Sequence, residues 1–328
     1  MADTSKIMKP MMAGIGAVLV LSVTYDILTS SISGVTHDDY GEGVEGVTVS
    51  LDGASVVTGS DGAFSIRTMF GSHTISFSKT GYYTISRTIE VPQLSNLVLA
   101  MPMVETLIDP TGTILCLPMS AGIGAYAIDV SGYANDGVFG GGNPDRVPRW
   151  ETLASGKRVL RFGVDGLINC GHHPSLDAAS GITIAARVYM REFPVGEYEA
   201  ILKKLNNSDL DFGLCYALVM NYSDSRIRPR LTTVDGNNMN ILSTAHLAIE
   251  TWYTIVFTYS AAAHRARIYI DGVLDIEDIT SITGDIVTSE QDLIVGAWND
   301  VGGWSLPGYT DWVRVYSREL SAGDCVLL

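Results

Sequence analysis

The stretch Gly296-Ala297-Trp298-Asn299-Asp300-Val301-Gly302-Gly303-Trp304 sets two indoles beside an amide and a carboxylate, and Tyr309 and Trp312 follow it. Three of the chain's five tryptophans fall in this short span. Aromatic faces beside Asn and Asp side chains stack against a sugar ring and hydrogen-bond its hydroxyls. Trp298 reads as a loop residue, so Trp298, Asn299 and Asp300 are candidates for glycan contact. A second set is basic. Arg226, Arg228 and Arg230 alternate, so in an extended segment they share one face. Arg228 and Arg230 are candidates to hold a sulfated or uronic sugar by bidentate pairing. Arg265 and Arg267 alternate likewise. Such rows also serve as solvated strand faces, and Pro229 suits an edge strand.

Bond-breaking chemistry lacks its residues. No H-E-x-x-H, G-x-S-x-G or phosphate-loop pattern occurs, and Gly156-Lys157 is followed by Arg158 rather than Ser or Thr. His172-His173-Pro174 would put two imidazoles on opposite faces of a strand, with no Cys or carboxylate at ligand spacing. No enzymatic activity is expected.

The elements that must position these residues follow from composition. The 328 residues suffice for about two domains. Only 17% of residues are charged while Gly numbers 34, which fits neither a disordered chain nor a helical bundle and suits short strands joined by tight turns. The formal charge is −15. Residues 33–103 hold three Lys/Arg against seven Asp/Glu, and residues 104–328 hold 16 against 27. An acidic surface repels phosphate backbones, so no nucleic-acid partner is expected.

Residues 1–31 stand apart. No charge occurs from Pro10 through Tyr25, and Met11 to Leu21 is apolar or glycine throughout, which predicts an N-terminal apolar helix. Its length is borderline for the ~30 Å hydrocarbon core. Three roles stay open: a cleaved signal, though no Ala-x-Ala-like site follows; a retained anchor with Lys6 and Lys9 inside; or a helix packed among copies of itself, helped by Ala13 and Ala17. The expected contacts of residues 10–28 are therefore a membrane or copies of the chain, with a homo-oligomer anticipated.

Residues 32–103 show period-two segments at Val47–Leu51, Phe64–Ile66 and Thr74–Phe77, punctuated by Asp52-Gly53, Asp61-Gly62 and Thr80-Gly81. The order Ile32-Ser33-Gly34-Val35, Gly43-Val44-Glu45-Gly46-Val47, Ser60-Asp61-Gly62-Ala63-Phe64 and Gly71-Ser72-His73-Thr74-Ile75 leading to Gly81-Tyr82 resembles the carboxypeptidase-regulatory-like family. That resemblance implies a small prealbumin-like sandwich that acts as a spacer without catalytic residues.

Residues 104–328 contain a clear hairpin, Tyr253–Tyr259 against Ala266–Ile270, in which odd positions of the first arm and even positions of the second are apolar. The segment Asp129-Val130-Ser131-Gly132 through Asn135 and Gly137, the run Ile182–Val188, Tyr269-Ile270-Asp271-Gly272, and Pro307-Gly308-Tyr309-Thr310-Asp311-Trp312 resemble the laminin G-like, or concanavalin A-like, lectin superfamily. The resemblance implies an all-β chain ending in a jelly roll. It also implies that Trp304 and Trp312 are structural, and that Asp129, Asn135 and Asp311 could gather around a structural Ca²⁺, unless they only close turns. Laminarinase-like enzymes of this fold carry E-x-D-x-x-E, but Val273 stands where the first carboxylate belongs in Val273–Asp278, which reads as an exposed strand edge. Of the four cysteines, Cys116 and Cys325 form the expected disulfide if the domain is outside the cell, since first and last strands lie close in such sandwiches; buried free thiols are the alternative. Asn206 and Asn221 begin possible glycosylation sequons.

These readings combine into a surface-displayed, non-enzymatic protein with a lectin-like head that binds glycan or a neighbouring surface protein. It would sit on the extracellular face of a membrane. The alternative is a structural subunit of a virion or filament whose N-terminal helix packs within the assembly.

Overall fold

The computed structural model describes residues 30–328 except 164, 194–197, 206–213, 222–223, 280–281 and 299–304. The expected N-terminal helix lies outside the described residues, as do Asn206, Asn299, Asp300 and Trp304. Among the described residues no helix is long and apolar enough to cross a membrane.

Seven strands build the small sandwich: β1 (Ser30–His37), β2 (Thr48–Leu51), β3 (Ala54–Val57), β4 (Ala63–Thr68), β5 (Gly71–Ser78), β6 (Ile85–Val91) and β7 (Asn96–Pro102). Sheet order is β4-β1-β7 facing β3-β2-β5-β6. Alternation decides which side of each strand is buried: Val49 and Leu51, Phe64 and Ile66, and Ile75 and Phe77 point inward while their neighbours face water. Phe64 and Phe77 meet edge to face, 5.5 Å between centroids. The β2–β3 hairpin turns on Asp52 and Gly53, both at positive φ (48° and 90°), a pair of conformations that Asp tolerates and Gly favours.

The large sandwich uses β8 (Thr113–Leu117), β9 (Tyr126–Ala127), β10 (Gly137–Phe139), β11 (Arg149–Thr152), β12 (Arg158–Arg161), β13 (Ile168–Asn169), β14 (Gly181–Met190), β15 (Tyr198–Leu205), β16 (Leu214–Asn221), β17 (Ile227–Thr232), β18 (Asn238–Asn240), β19 (Trp252–Ser260), β20 (Arg265–Ile270), β21 (Val273–Asp278), β22 (Leu293–Val295) and β23 (Gly308–Tyr316). One sheet runs β18-β17-β16-β15-β22-β13-β10-β9. The other runs β11-β12-β23-β14-β19-β20-β21, with β8 also on β23. Ile184, Leu202, Leu218, Phe257 and Val313 meet between them in one core. The predicted hairpin is β19–β20, in the expected register. The segment Val273–Asp278 is the edge strand it was read as, and its Glu277 pairs with Arg267.

The two sandwiches are joined by a packed interface. Cys116 and Val130 of the large unit share a core with Tyr83, Met101 and Met103 of the small one. Arg87 reaches across to Asp136 at 2.8 Å and to the Asp129 carbonyl, and the Arg158 amide donates to the Asp39 carbonyl at 3.0 Å. Strand β1 ends at this interface. It begins roughly 23 Å away, at the opposite pole, where Ser30 pairs with Thr68.

The disulfide expectation is corrected. All four cysteines are free and buried. The first and last strands are indeed neighbours, β8 on β23, but Cys116 is turned into the interface while Cys325 lies beyond β23 on α1 (Ala322–Leu327). Burial pushes both thiols up to about 12, away from thiolate reactivity.

Candidate functional site

The register of the first sheet lines up one residue per strand. Arg230, Ala217, Lys203, Ile294, Asn169, Val138 and Tyr126 are cross-strand partners in a single row from β17 to β9. Paired residues share a face, and Leu218, Leu202 and Leu231 next to them in sequence fill the core, so this row points away from it. Arg228 stands opposite Val219 on the same outer face. The alternation read from the sequence therefore places Arg228 and Arg230 together. Arg226 falls before β17 and is bound to Asp224. Arg265 and Arg267 are both tied to Glu319.

A cavity of about 300 Å³ opens here, lined by Leu214, Arg228, Arg230, Thr232 and Asn238. Sequence reasoning missed the last two. Thr232 continues the two-residue period of the arginines, which was the available signal, but Asn238 arrives only through the pairing of β18 with β17.

Trp298 departs from the open stacking platform expected of it. It is 2% exposed and packs on Ala200, Leu205, Leu214, Ala217 and Val219. The small side chains of Ala200 and Ala217 leave room for an indole to lie against the sheet. Two residues earlier, Gly296 lets the chain pass close to Phe162: its φ is +86° and a Cβ there would stand 2.1 Å from the Phe162 ring. The Arg230 guanidinium lies 5.7 Å from the Trp298 ring centroid, so Trp298 forms the floor beneath a surface arginine.

The three calcium candidates divide. Asp129 and Asn135 come together, but the Asp129 carboxylate already accepts the amides of Cys116 (2.8 Å), Ser131 (3.0 Å) and Asn135 (2.9 Å) and the Ser131 hydroxyl (2.7 Å). Asn135 spends its amide N–H groups on the Ile114 carbonyl and the Ser175 hydroxyl. Burial raises the Asp129 carboxyl, offset in part by these donors. Asp311 does not join them. It is the extra residue of a bulge in β23, where Arg187 pairs Trp312 and Val188 pairs Thr310. There it holds Lys157 at 2.7 Å and Arg187 at 3.4 Å, and its carboxyl too is raised, chiefly by burial. A set with one carboxylate saturated by three N–H donors and an O–H donor and another held by two cations does not fit a Ca²⁺ ion. Among the described residues no group of three His, Cys, Asp or Glu is placed to hold a metal.

Comparison with known proteins closes on this fold. Residues 162–325 match the concanavalin A-like lectin/glucanases superfamily, half of the chain. The chain belongs to that superfamily. Ahead of this concanavalin A-like unit, residues 31–103 match the carboxypeptidase regulatory-like domain, in the order expected. The superfamily's fold recurs in solved structures. The binding domain of Paraclostridial Mosquitocidal Protein 1 superposes with a TM-score of 0.51 at 12% identity, over 66% of this chain and 51% of that one. Domain 4 of AbnA, a GH43 extracellular arabinanase from Geobacillus stearothermophilus, in complex with arabinotriose, gives 0.50 at 11% identity, over 66% and 98%. The chain thus spans about half the length of the mosquitocidal binding domain. Among curated proteins none matches.

Proposed function

We propose that the protein is a non-enzymatic, surface-displayed glycan binder, with the concanavalin A-like unit as its head and the small sandwich as a rigid spacer. The observation that carries the reading is the cleft where Arg228 and Arg230 share an outer strand face beside Thr232 and Asn238, with the Trp298 ring against Arg230. Guanidinium forks supply directional donors for sugar hydroxyls and carboxylates, and Thr and Asn add both donors and acceptors. The arabinotriose complex of AbnA domain 4 supports sugar as the ligand class.

The spacer role is supported by polarity. Strand β1 starts at the pole farthest from the head, so residues 10–28 would fix the protein at that end, in a membrane with the head on its extracellular side. A glycan array probed with the full chain tests the reading: binding lost in Arg228→Ala/Arg230→Ala supports it, and no binding, or binding that survives the double substitution, overturns it. Membrane fractionation tests the anchor separately. Regular particles or filaments isolated without detergent would instead place residues 10–28 within an assembly.

A further inference from the structure

The second sheet carries another row. Arg149, Arg161, Tyr309, Tyr189 and Trp252 are cross-strand partners from β11 through β12, β23 and β14 to β19. The adjacent row, Leu160, Thr310, Val188 and Tyr253, faces the core, so these five point outward. Their three rings form a partly exposed cluster. Tyr189 lies 5.4 Å from Trp252 and 5.5 Å from Tyr309, and Trp252 and Tyr309 are inclined by only 26° at 6.5 Å. Glycine is required beside them: a Cβ on Gly308 would stand 1.9 Å from the Tyr189 carbonyl oxygen.

Cations border the rings. Arg187 lies 5.6 Å from the Trp252 centroid and Arg191 lies 6.0 Å from that of Tyr309. Arg149 and Arg161 line a cavity of about 280 Å³ at one end of the row, with Arg146, Asp145 and Asp165. Two of the arginines are neutralised, Arg161 by Glu151 at 3.0 Å and Arg187 by Asp311. Among the described residues neither Arg149 nor Arg191 forms an ion pair, and both are exposed. On a chain of formal charge −15, Arg149 and Arg191 set exposed positive charge next to flat apolar faces, and Glu151, which accepts from the Tyr309 hydroxyl, acts on Arg161 and Arg191 alike.

We propose that this row is a second binding surface, on the opposite sheet from Arg228 and Arg230, for an extended acidic oligosaccharide. Sugar faces lie on Tyr309 and Trp252, and the carboxylate or sulfate groups pair with Arg149 and Arg191. A neutral chain would have stacking alone; a free anion would have charge alone.

Isothermal titration of the full chain tests it, with an oligogalacturonate and a heparin oligosaccharide as the carboxylated and sulfated probes and a cello-oligosaccharide as the neutral control. At least one acidic probe should bind with marked salt dependence. Arg149→Ala/Arg191→Ala should weaken it by about tenfold or more, since two charge-assisted pairs are lost. Tyr309→Leu, which keeps an apolar side chain but removes the ring face, should weaken it without unfolding the chain. In the Arg228→Ala/Arg230→Ala background one acidic probe per chain should still bind, and adding Arg149→Ala/Arg191→Ala should weaken that remaining event, which separates this site from the cleft. The proposal is overturned if neither acidic probe binds, if the neutral probe binds equally well, or if the Arg149/Arg191 double variant binds as the parent does. Concentration-dependent dimerisation abolished by that double variant would also overturn it, by showing a second copy on the row.

Discussion

The two outer faces of the large sandwich handle their aromatic residues in opposite ways. On the first, Trp298 is sunk against Ala200 and Ala217 with Arg230 at its face. On the second, Tyr189, Trp252 and Tyr309 remain partly exposed and arginines flank them. The tryptophan that stood out by its sequence neighbours is the buried one. The rings that form an outward cluster come from three strands far apart in the chain, brought into one row by strand register. Clustering along a sequence marks a loop; clustering across strands makes a surface.

The largest effect expected is on stability. Trp298→Ala should cost about 3–5 kcal/mol in urea unfolding, as for a fully buried indole, whereas Trp252→Ala should cost about 1 kcal/mol for its lost ring contacts. Equal costs would erase the distinction between the faces. Next comes glycan binding at the cleft. Arg228→Ala/Arg230→Ala should weaken it by about tenfold or more, and Arg230→Lys should recover only part, because an ammonium lacks the fork. A retained affinity in Arg230→Ala alone would assign the contact to Arg228.

Thiol chemistry probes both faces at once. Cys215 lies in the first sheet and Cys325 lies on α1, packed against the second, and all four thiols are buried. Ellman's reagent at pH 8 should label none in the folded protein and four after denaturation without reductant. A count of two after denaturation would restore the disulfide.

The smallest effect concerns Asp311, at the margin of the ring row. Its folded carboxyl is raised, so between the ordinary aspartate value and that raised value the native state holds the extra proton. Its contribution to stability is therefore present at the acid end of this window and falls as pH rises through it. Asp311→Asn should flatten that part of the urea midpoint profile. An unchanged profile would place the proton elsewhere.

Much of the fold was legible. The β19–β20 hairpin followed from which positions were apolar, and the small sandwich from alternation broken by Asp-Gly turns, because a side chain's face is a local consequence of the backbone period. The pairing of Arg228 with Arg230 was legible for the same reason. The burial of Trp298 was not, since the alanines that make room for it come from β15 and β16. Nor was the separation of Asp311 from Asp129, which depends on a bulge in β23 and on Lys157 arriving beside it.

By itself, the sequence determined that this chain is built of strands, in two sandwiches of known order, with an acidic surface and paired arginines on one strand face. Those properties depend on residues close together in the chain. The tertiary structure alone decided which aromatic rings meet solvent, which carboxylates are already satisfied and where cations collect. Each of those outcomes depends on contacts between strands that are distant in the chain and whose register no local pattern encodes.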